Sequence, residues 1–181
     1  MITLKLENVN FGEPTALALG SFDGLHLGHA VVINHAVKSD MKSAVVSFHP
    51  KTPREVLLGT APKQILSYSS RREKLREMGV NYNIEIDFMK IKDLSPAEFI
   101  DKLCAYLNIK MLCCGYDFRF GKDGEGTAQQ LKNICEQRGI TCFIAKEVKV
   151  QGETCSSTKI REALANDECE KAEKMLGYRL Q

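Results

Sequence analysis

The chain has 181 residues, a length that suits one globular domain with a substantial core and leaves little room for two. Hydrophobic residues make up 44% and charged residues 27%, which is close to ordinary folded proteins and argues against disorder. The net charge of +2 gives no electrostatic signal for nucleic-acid binding, so we expect no nucleic-acid partner.

The N-terminal sequence and the cysteines predict the compartment. Residues 1–5 show no signal-peptide core, and no apolar run approaches the about 18 residues that span a bilayer. The seven cysteines include no Cys-x-x-Cys pair, which favours reduced thiols that pack as small apolar side chains over zinc binding. We therefore expect a soluble, cytoplasmic protein without a membrane partner.

The first half of the chain predicts alternating strands and helices. An apolar run at residues 15–19 stops at Gly20 and predicts a buried strand, and residues 27–38 predict a helix. A second strand is predicted at residues 43–48. Pro50 ends it, and a loop rich in Pro, Lys and Thr is predicted to follow.

The alternation continues to the end of the chain. Ser95, Pro96 and Glu98 predict a helix start, because they suit the cap, the first position and the closing residue of a capping box. The predicted elements are, in order, helix 69–79, strand 81–87, helix 95–107, strand 111–114, helix 127–138, strand 140–145 and helices 157–164 and 168–175. This order predicts an α/β protein whose mostly parallel sheet has helices on both faces. Ligands of such sheets bind at the carboxyl ends of the strands.

The segment from Gly20 to His29 follows the first predicted strand and is the first candidate site. Gly24 permits a sharp turn, Gly28 lets a ligand or a second backbone approach, and the helix that begins here offers free N–H groups to an anion. His26 and His29 can point imidazole N–H donors at one triphosphate. These residues favour phosphate binding; a metal site and a structural turn are the alternatives.

A second candidate site, residues 156–161, begins a predicted helix near the C-terminus. The hydroxyls of Ser156, Ser157 and Thr158 can donate to phosphate beside free backbone N–H groups. Arg161 lies one turn further on, on the same side by helical spacing, and can clamp phosphate oxygens with two N–H groups. The alternative is a plain helix cap with a solvated arginine.

The loop at residues 115–121 follows the fourth predicted strand and carries two aromatic side chains between glycines. Phe118 and Phe120 can stack on a flat ring. The alternative is a hydrophobic plug beneath the loop.

These three segments resemble signatures of one family. Residues 26–29 match the His-x-Gly-His signature of the nucleotidylyltransferase superfamily, and residues 156–161 are similar to its Ser-Ser-Thr-x-Ile-Arg motif. The longer stretch around the histidines resembles prokaryotic FAD synthetases (FMN adenylyltransferases), with Ser21 where most members have Asn. Residues 115–121 resemble that family's Gly-x-(Asn/Asp)-Phe-x-Phe-Gly. Residues 48–57 are similar to its Phe-x-Pro-His-Pro-Arg-Glu-Val-Leu, with one extra residue and a shifted histidine.

The resemblance implies a Rossmann-like nucleotidylyltransferase fold and the reaction of FMN with ATP to give FAD and pyrophosphate. The FMN phosphate would attack the α-phosphorus in line, and Mg²⁺ would travel with ATP without a dedicated metal site. Residues 1–181 would form a single FMN adenylyltransferase domain. The riboflavin kinase domain that typical bacterial relatives carry would be absent, either deleted or present on a separate chain.

The resemblance also assigns site residues. Catalytic roles fall on His26, His29 and Arg161. ATP binding falls on Gly20, Ser21, Phe22, Asp23, Gly24, His26, Gly28, His29, Ser156, Ser157, Thr158 and Arg161. Flavin binding falls on Phe48, Pro50, Asp117, Phe118 and Phe120. Two other functions remain open: a nucleotidyltransferase that acts on another phosphorylated acceptor, and a non-catalytic nucleotide-binding module.

Overall fold

The computed structural model describes residues 1–60 and 62–180, so the predicted domain, 1–181, includes two positions, 61 and 181, that lie outside the described residues. The strands are β1 Ile2–Lys5, β2 Phe11–Ala18, β3 Lys42–Phe48, β4 Tyr82–Ile86, β5 Leu107–Gly115, β6 Arg119–Phe120, β7 Gly126–Thr127, β8 Thr141–Ala145, β9 Lys149–Val150 and β10 Glu153–Thr154. The α-helices are α1 Leu27–Val37, α2 Pro53–Leu58, α3 Tyr68–Glu77, α4 Pro96–Tyr106, α5 Ala128–Gln137, α6 Ser157–Ala165 and α7 Cys169–Leu176. Short 3₁₀ turns lie at Leu6–Asn8, Phe88–Lys90 and Lys122–Gly124.

Six parallel strands form the central sheet, in the order β1-β4-β3-β2-β5-β8. The chain builds the sheet in one direction from β2 to β3 and β4, then returns to place β5 on the other side of β2. The order therefore reverses between β2 and β5, which is where sheets of this type bind ligands. The predicted first and fourth strands are these two, so both candidate loops that follow them lie at the switch point.

Helices cover both faces of the sheet, as predicted. Buried residues of α1 and α3, including Ile33 and Leu75, pack on one face. Buried residues of α4 and α5, including Leu103 and Leu131, pack on the other. The α/β architecture is therefore confirmed, and the two apolar layers fix the strand ends that carry the candidate loops.

Two elements were not predicted, for different physical reasons. The predicted loop after Pro50 contains α2, and Thr52 caps it in a capping box with Glu55. The sequence signal was present, because Thr-Pro-x-Glu has the pattern that identified the helix at Ser95. Strand β1 gives little signal, because it is a four-residue edge strand without a buried residue.

The C-terminal helices form a third apolar cluster that packs beside the first motif. The Tyr178 hydroxyl donates a hydrogen bond to the Gly24 carbonyl at 2.5 Å, and Lys74 of α3 lies 3.6 Å from the centre of the Tyr178 ring. Gly177 has φ 76°, and a Cβ there would lie 2.5 Å from the Leu27 side chain. The chain after α7 is therefore in direct contact with the loop after β2.

Packing as small apolar side chains is confirmed for the four buried cysteines, Cys113, Cys114, Cys135 and Cys155, whereas Cys104 and Cys142 are partly buried and Cys169 is exposed. Cys113 and Cys114 are fully buried, and burial raises the pKa of each thiol to about 12. All seven cysteines are free thiols. Among residues 1–60 and 62–180, no helix has the length and apolar character needed to cross a membrane.

Candidate active site

A cleft of about 610 Å³ lies at the carboxyl ends of the sheet strands. Its walls include Gly20 after β2, Phe48 at the end of β3, Gly115 at the end of β5 and Ala145 at the end of β8. This volume lies in the range of pockets that bind cofactors and other small molecules. The fold therefore concentrates the candidate loops around one small-molecule site.

All but two of the predicted site residues line this cleft. Those that line it are Gly20, Ser21, Phe22, Asp23, His26, Gly28, His29, Phe48, Asp117, Phe118, Phe120, Ser156, Ser157, Thr158 and Arg161. The exceptions are Gly24 and Pro50. Gly24 faces the C-terminal segment and binds Tyr178, whereas Pro50 is exposed outside the cleft. His49 is also exposed, and its ring lies 5.2 Å from that of Tyr68.

The two histidines stack at the start of α1. Their ring centres are 3.7 Å apart with an angle of 19° between the planes. His26 is the N-cap residue, and its Nδ1 accepts a hydrogen bond from the His29 backbone N–H at 3.3 Å. When neutral, the His26 ring must then carry its proton on Nε2, which makes that atom a donor. The sequence predicts two histidine donors to one anion, and this geometry identifies Nε2 as the donor atom of His26.

Gly28 makes room for this arrangement. A Cβ at this position would lie 3.1 Å from His26 Cε1 and 3.6 Å from the Cys155 carbonyl oxygen. The space left by the missing side chain is therefore filled by the His26 ring and by a second backbone segment, rather than by open cleft.

Burial keeps both histidines neutral. It lowers the pKa of His26 to about 4, although the nearby carboxylates of Asp117 and Asp23 act in the opposite direction. Burial, together with the neighbouring His26, holds the pKa of His29 well below its usual range. At neutral pH the pair therefore offers neutral N–H donors, and it adds no positive charge to the cleft.

The low pKa of His26 predicts a pH-dependent stability. Below about pH 6.5 a histidine in the unfolded chain binds a proton, whereas His26 in the folded chain binds one only near pH 4. Folding stability must then fall as the pH drops through that window, by on the order of 3 kcal/mol from this residue. His26→Asn keeps a capping side chain and removes the titration, so we expect a shallower loss in urea unfolding between pH 7 and pH 4. Parallel curves for the two proteins would disprove this assignment.

Asp23 connects the two sequence motifs. Its carboxylate forms an ion pair with the Arg161 guanidinium, and both side chains are largely buried, at 15% and 20% exposed. The Ser157 hydroxyl donates to the Asp23 carbonyl at 2.9 Å, so Ser157 and Arg161 face the same residue, as their helical spacing predicts. Arg161 Nε also donates to the Lys63 carbonyl at 3.0 Å. Because two guanidinium nitrogens are engaged within the protein, a two-pronged phosphate clamp by Arg161 stays a prediction.

The aromatic loop, residues 115–121, places its two phenylalanines in different environments: one fits the predicted hydrophobic plug, and the other fits the predicted stacking on a flat ring. The rings of Phe118 and Phe120 stack with centres 5.4 Å apart and planes 9° apart. Phe120 is 6% exposed and lies 6.0 Å from the Phe99 ring, so it acts mainly as a plug in the core. Phe118 is only partly buried and lines the cleft, where its ring remains the better candidate for stacking on a ligand.

Sequence reasoning missed several residues that line the cleft. They include Thr52, Arg54, Arg71, Phe88 and Lys146. Arg71 had an available signal, because it lies four residues before the apolar Leu75 and therefore on the buried face of its helix. Phe88 lies in a short 3₁₀ turn, where helical or strand periodicity gives no indication, and its ring meets Phe48 edge-on at 5.8 Å.

Two carboxylates line the cleft, and they differ in availability. Asp23 is engaged by Arg161 and by the Ile65 N–H at 3.3 Å. Asp117 is exposed and has no ion pair within the described chain.

Proteins bind Mg²⁺ through one or two carboxylates together with substrate phosphates. In the part of the chain that the structure describes, no group of three His, Cys, Asp or Glu residues could hold a metal ion. The donors present therefore fit an ion carried on a phosphate ligand.

Residues 9–159 match the family model described as FAD synthetase. The chain belongs to the FAD synthetase family. This confirms the resemblance drawn from the histidine, serine and aromatic motifs. In this FAD synthetase family member, the matched region includes the β2 loop, the aromatic loop at residues 115–121 and the first residues of α6, and it ends two residues before Arg161.

The relatives of this FAD synthetase family chain are longer proteins. It is 32% identical to a bifunctional riboflavin kinase/FMN adenylyltransferase of Listeria monocytogenes, over 90% of this chain and 53% of the relative. A protein of the same description from Bacillus subtilis is 30% identical over the same shares. The chain thus spans about half the length of the curated relatives it matches.

A solved structure shares the fold. It is described as a macrolide-efflux protein from Streptococcus pneumoniae, and it superposes with a TM-score of 0.85 at 28% identity. The match covers 98% of this chain and 60% of the other. The α/β fold derived from the sheet order is therefore found again in a related protein.

Proposed function

We propose that this chain transfers the AMP group of ATP to FMN and releases pyrophosphate, forming FAD. The observation that carries the proposal is the single cleft in which the two stacked histidines, the Asp23–Arg161 pair and the aromatic loop meet. Family membership supports it, because the matched relatives are named for FMN adenylyltransferase activity.

In the proposed mechanism, an FMN phosphate oxygen forms a bond to the α-phosphorus of ATP. The bond from that phosphorus to the bridging oxygen breaks, and pyrophosphate leaves with the electron pair. His26 and His29 donate from neutral rings to phosphate oxygens that gain charge, and the first backbone N–H groups of α6 add donors. No covalent enzyme intermediate is needed, since the acceptor is already anionic. The protein acts by positioning and charge stabilisation.

Mg²⁺ bound to ATP would neutralise part of the triphosphate charge. Asp117 is the residue placed to reach it, because its carboxylate is not engaged by a cation of the described chain. Phe48 and Phe118 are proposed to contact the flavin ring. The cytoplasm is the proposed location, because it supplies ATP and keeps free thiols reduced.

The test is direct. The purified chain is incubated with ATP, Mg²⁺ and FMN, and FAD is followed by chromatography together with pyrophosphate. Parallel reactions replace FMN with glycerol phosphate, phosphocholine, phosphopantetheine or nicotinamide mononucleotide. We expect FAD from FMN and little product elsewhere. Product only with another acceptor, or nucleotide binding without any product, would replace the proposal with one of the two alternatives.

We further propose that residues 1–181 act as one adenylyltransferase unit without riboflavin kinase activity. The described residues support this, since the three candidate motifs line one cleft at the carboxyl ends of the sheet strands. Riboflavin with ATP and Mg²⁺ is expected to give no FMN. Formation of FMN would overturn this part of the proposal.

A further inference from the structure

Arg71 is a buried arginine that the proposed mechanism does not use. Arg71 lies in the first turn of α3 and is 9% exposed. It lines the same cleft as His26, His29 and Asp117. Its neighbour Arg72 points to solvent and does not line the cleft.

The Arg71 guanidinium lacks a carboxylate partner of its own among the described residues. Asp23 acts on it electrostatically but is engaged by Arg161 and by the Ile65 N–H. Burial lowers the pKa of Arg71, and Asp23 only partly opposes the effect. A guanidinium nevertheless remains charged at physiological pH. The free protein therefore holds an incompletely compensated positive charge in its cleft.

Packing does not explain why the charge is there. The Arg71 guanidinium carbon lies 5.7 Å from the centre of the Tyr68 ring, and that of the exposed Arg72 lies at the same distance. The aromatic contact is thus available to an arginine that stays in water. Burial of a charge without a partner is strongly unfavourable unless an anion compensates it.

We propose that Arg71 is a phosphate-binding residue that donates its guanidinium N–H groups to phosphate oxygens of a bound substrate. Arginine suits this role because its planar fork matches phosphate geometry. The inference rests on the proposed function for the identity of the substrates. ATP and FMN both carry phosphate, and the experiment distinguishes them.

The experiment compares Arg71→Gln with the matched control Arg72→Gln. Binding of ATP with Mg²⁺, of FMN and of riboflavin, which lacks the phosphate, is measured by calorimetry. Loss of hydrogen bonds to a charged group predicts roughly 10- to 100-fold weaker binding of ATP or FMN to Arg71→Gln. The control is expected to bind as the parent does, and riboflavin is expected to bind all three proteins equally.

Each pattern of results has one meaning. Weaker binding of ATP alone assigns Arg71 to the nucleotide, and weaker binding of FMN with unchanged riboflavin assigns it to the acceptor. Unchanged binding of both phosphates overturns the proposal. So does a lower melting temperature of ligand-free Arg71→Gln with similar losses for all three ligands, because that marks a structural arginine. Arg71→Lys, which keeps the charge without the fork, provides the same comparison if the glutamine variant does not fold.

These measurements remain separate from the proposed function. Failure of the parent chain to make FAD would end the adenylyltransferase proposal, yet ATP binding would still report on Arg71. FAD formation that is equally efficient in Arg71→Gln and Arg72→Gln would end the Arg71 proposal alone.

Discussion

Replacement of His29 by alanine is expected to lower kcat for FAD formation by about 10²-fold or more. The reason is the loss of one fixed N–H donor aimed at charge that grows on the phosphates during transfer. His29 is a better test than His26. His26 also caps α1, so its removal would add a stability cost of roughly 1 kcal/mol that obscures the catalytic effect.

Two further variants sharpen this test. His35 lies on the same helix, but it stacks on Phe143 at 3.6 Å and does not line the cleft, so His35→Ala should keep kcat within a few-fold of the parent. His29→Gln retains an N–H donor and should recover part of the lost rate. If His29→Ala also stays within a few-fold of the parent, the catalytic role assigned to His29 is wrong.

The Asp23–Arg161 pair is expected to produce the largest stability effect at the site. Asp23→Asn or Arg161→Gln leaves a largely buried charge without its partner, which should lower the free energy of unfolding by about 3 kcal/mol in either single variant. The double variant should lose clearly less than the sum, because each single change already removes the interaction. Urea unfolding of the parent and the three variants measures this coupling, and additive losses would mean that the pair is not energetically linked.

A matched pair on the same helix provides the control. Lys159 and Glu162 form an ion pair of 3.1 Å in α6, but their side chains are 48% and 55% exposed. Solvent screens such pairs, so Lys159→Ala should change stability by no more than about 0.5 kcal/mol. Comparable losses from Lys159→Ala and Arg161→Gln would show that burial does not strengthen the Asp23–Arg161 pair.

Much of the cleft could be predicted because its signals are local. The apolar run before Gly20 predicts a strand, and the sequence after it predicts a helix start, so the loop between them had to lie at a strand end. The same reasoning placed the aromatic loop after the fourth predicted strand. The sheet order then brings both loops to the switch point.

The contact between the motifs could not be predicted in this way. Asp23 and Arg161 are 138 positions apart, and no periodicity or capping pattern reports on a contact at that separation. The resemblance assigns Asp23 to ATP binding, but it gives no sign that the Asp23 carboxylate binds Arg161 and the Ile65 N–H. Arg71 falls near the start of the helix predicted at residues 69–79, and its spacing from Leu75 places it on the buried face of that helix.

The hydrogen bond from Tyr178 to Gly24 affects how this unit can be exchanged between proteins. Tyr178 follows α7, but its hydroxyl donates a hydrogen bond to Gly24, next to Asp23, and its ring contacts the Lys74 ammonium group of α3. A chimera joined immediately after α7 would combine one protein's loop after β2 with another protein's residue at the position of Tyr178. Swaps within the family should therefore place the junction beyond Tyr178, so that the loop and the residue that holds it are inherited together.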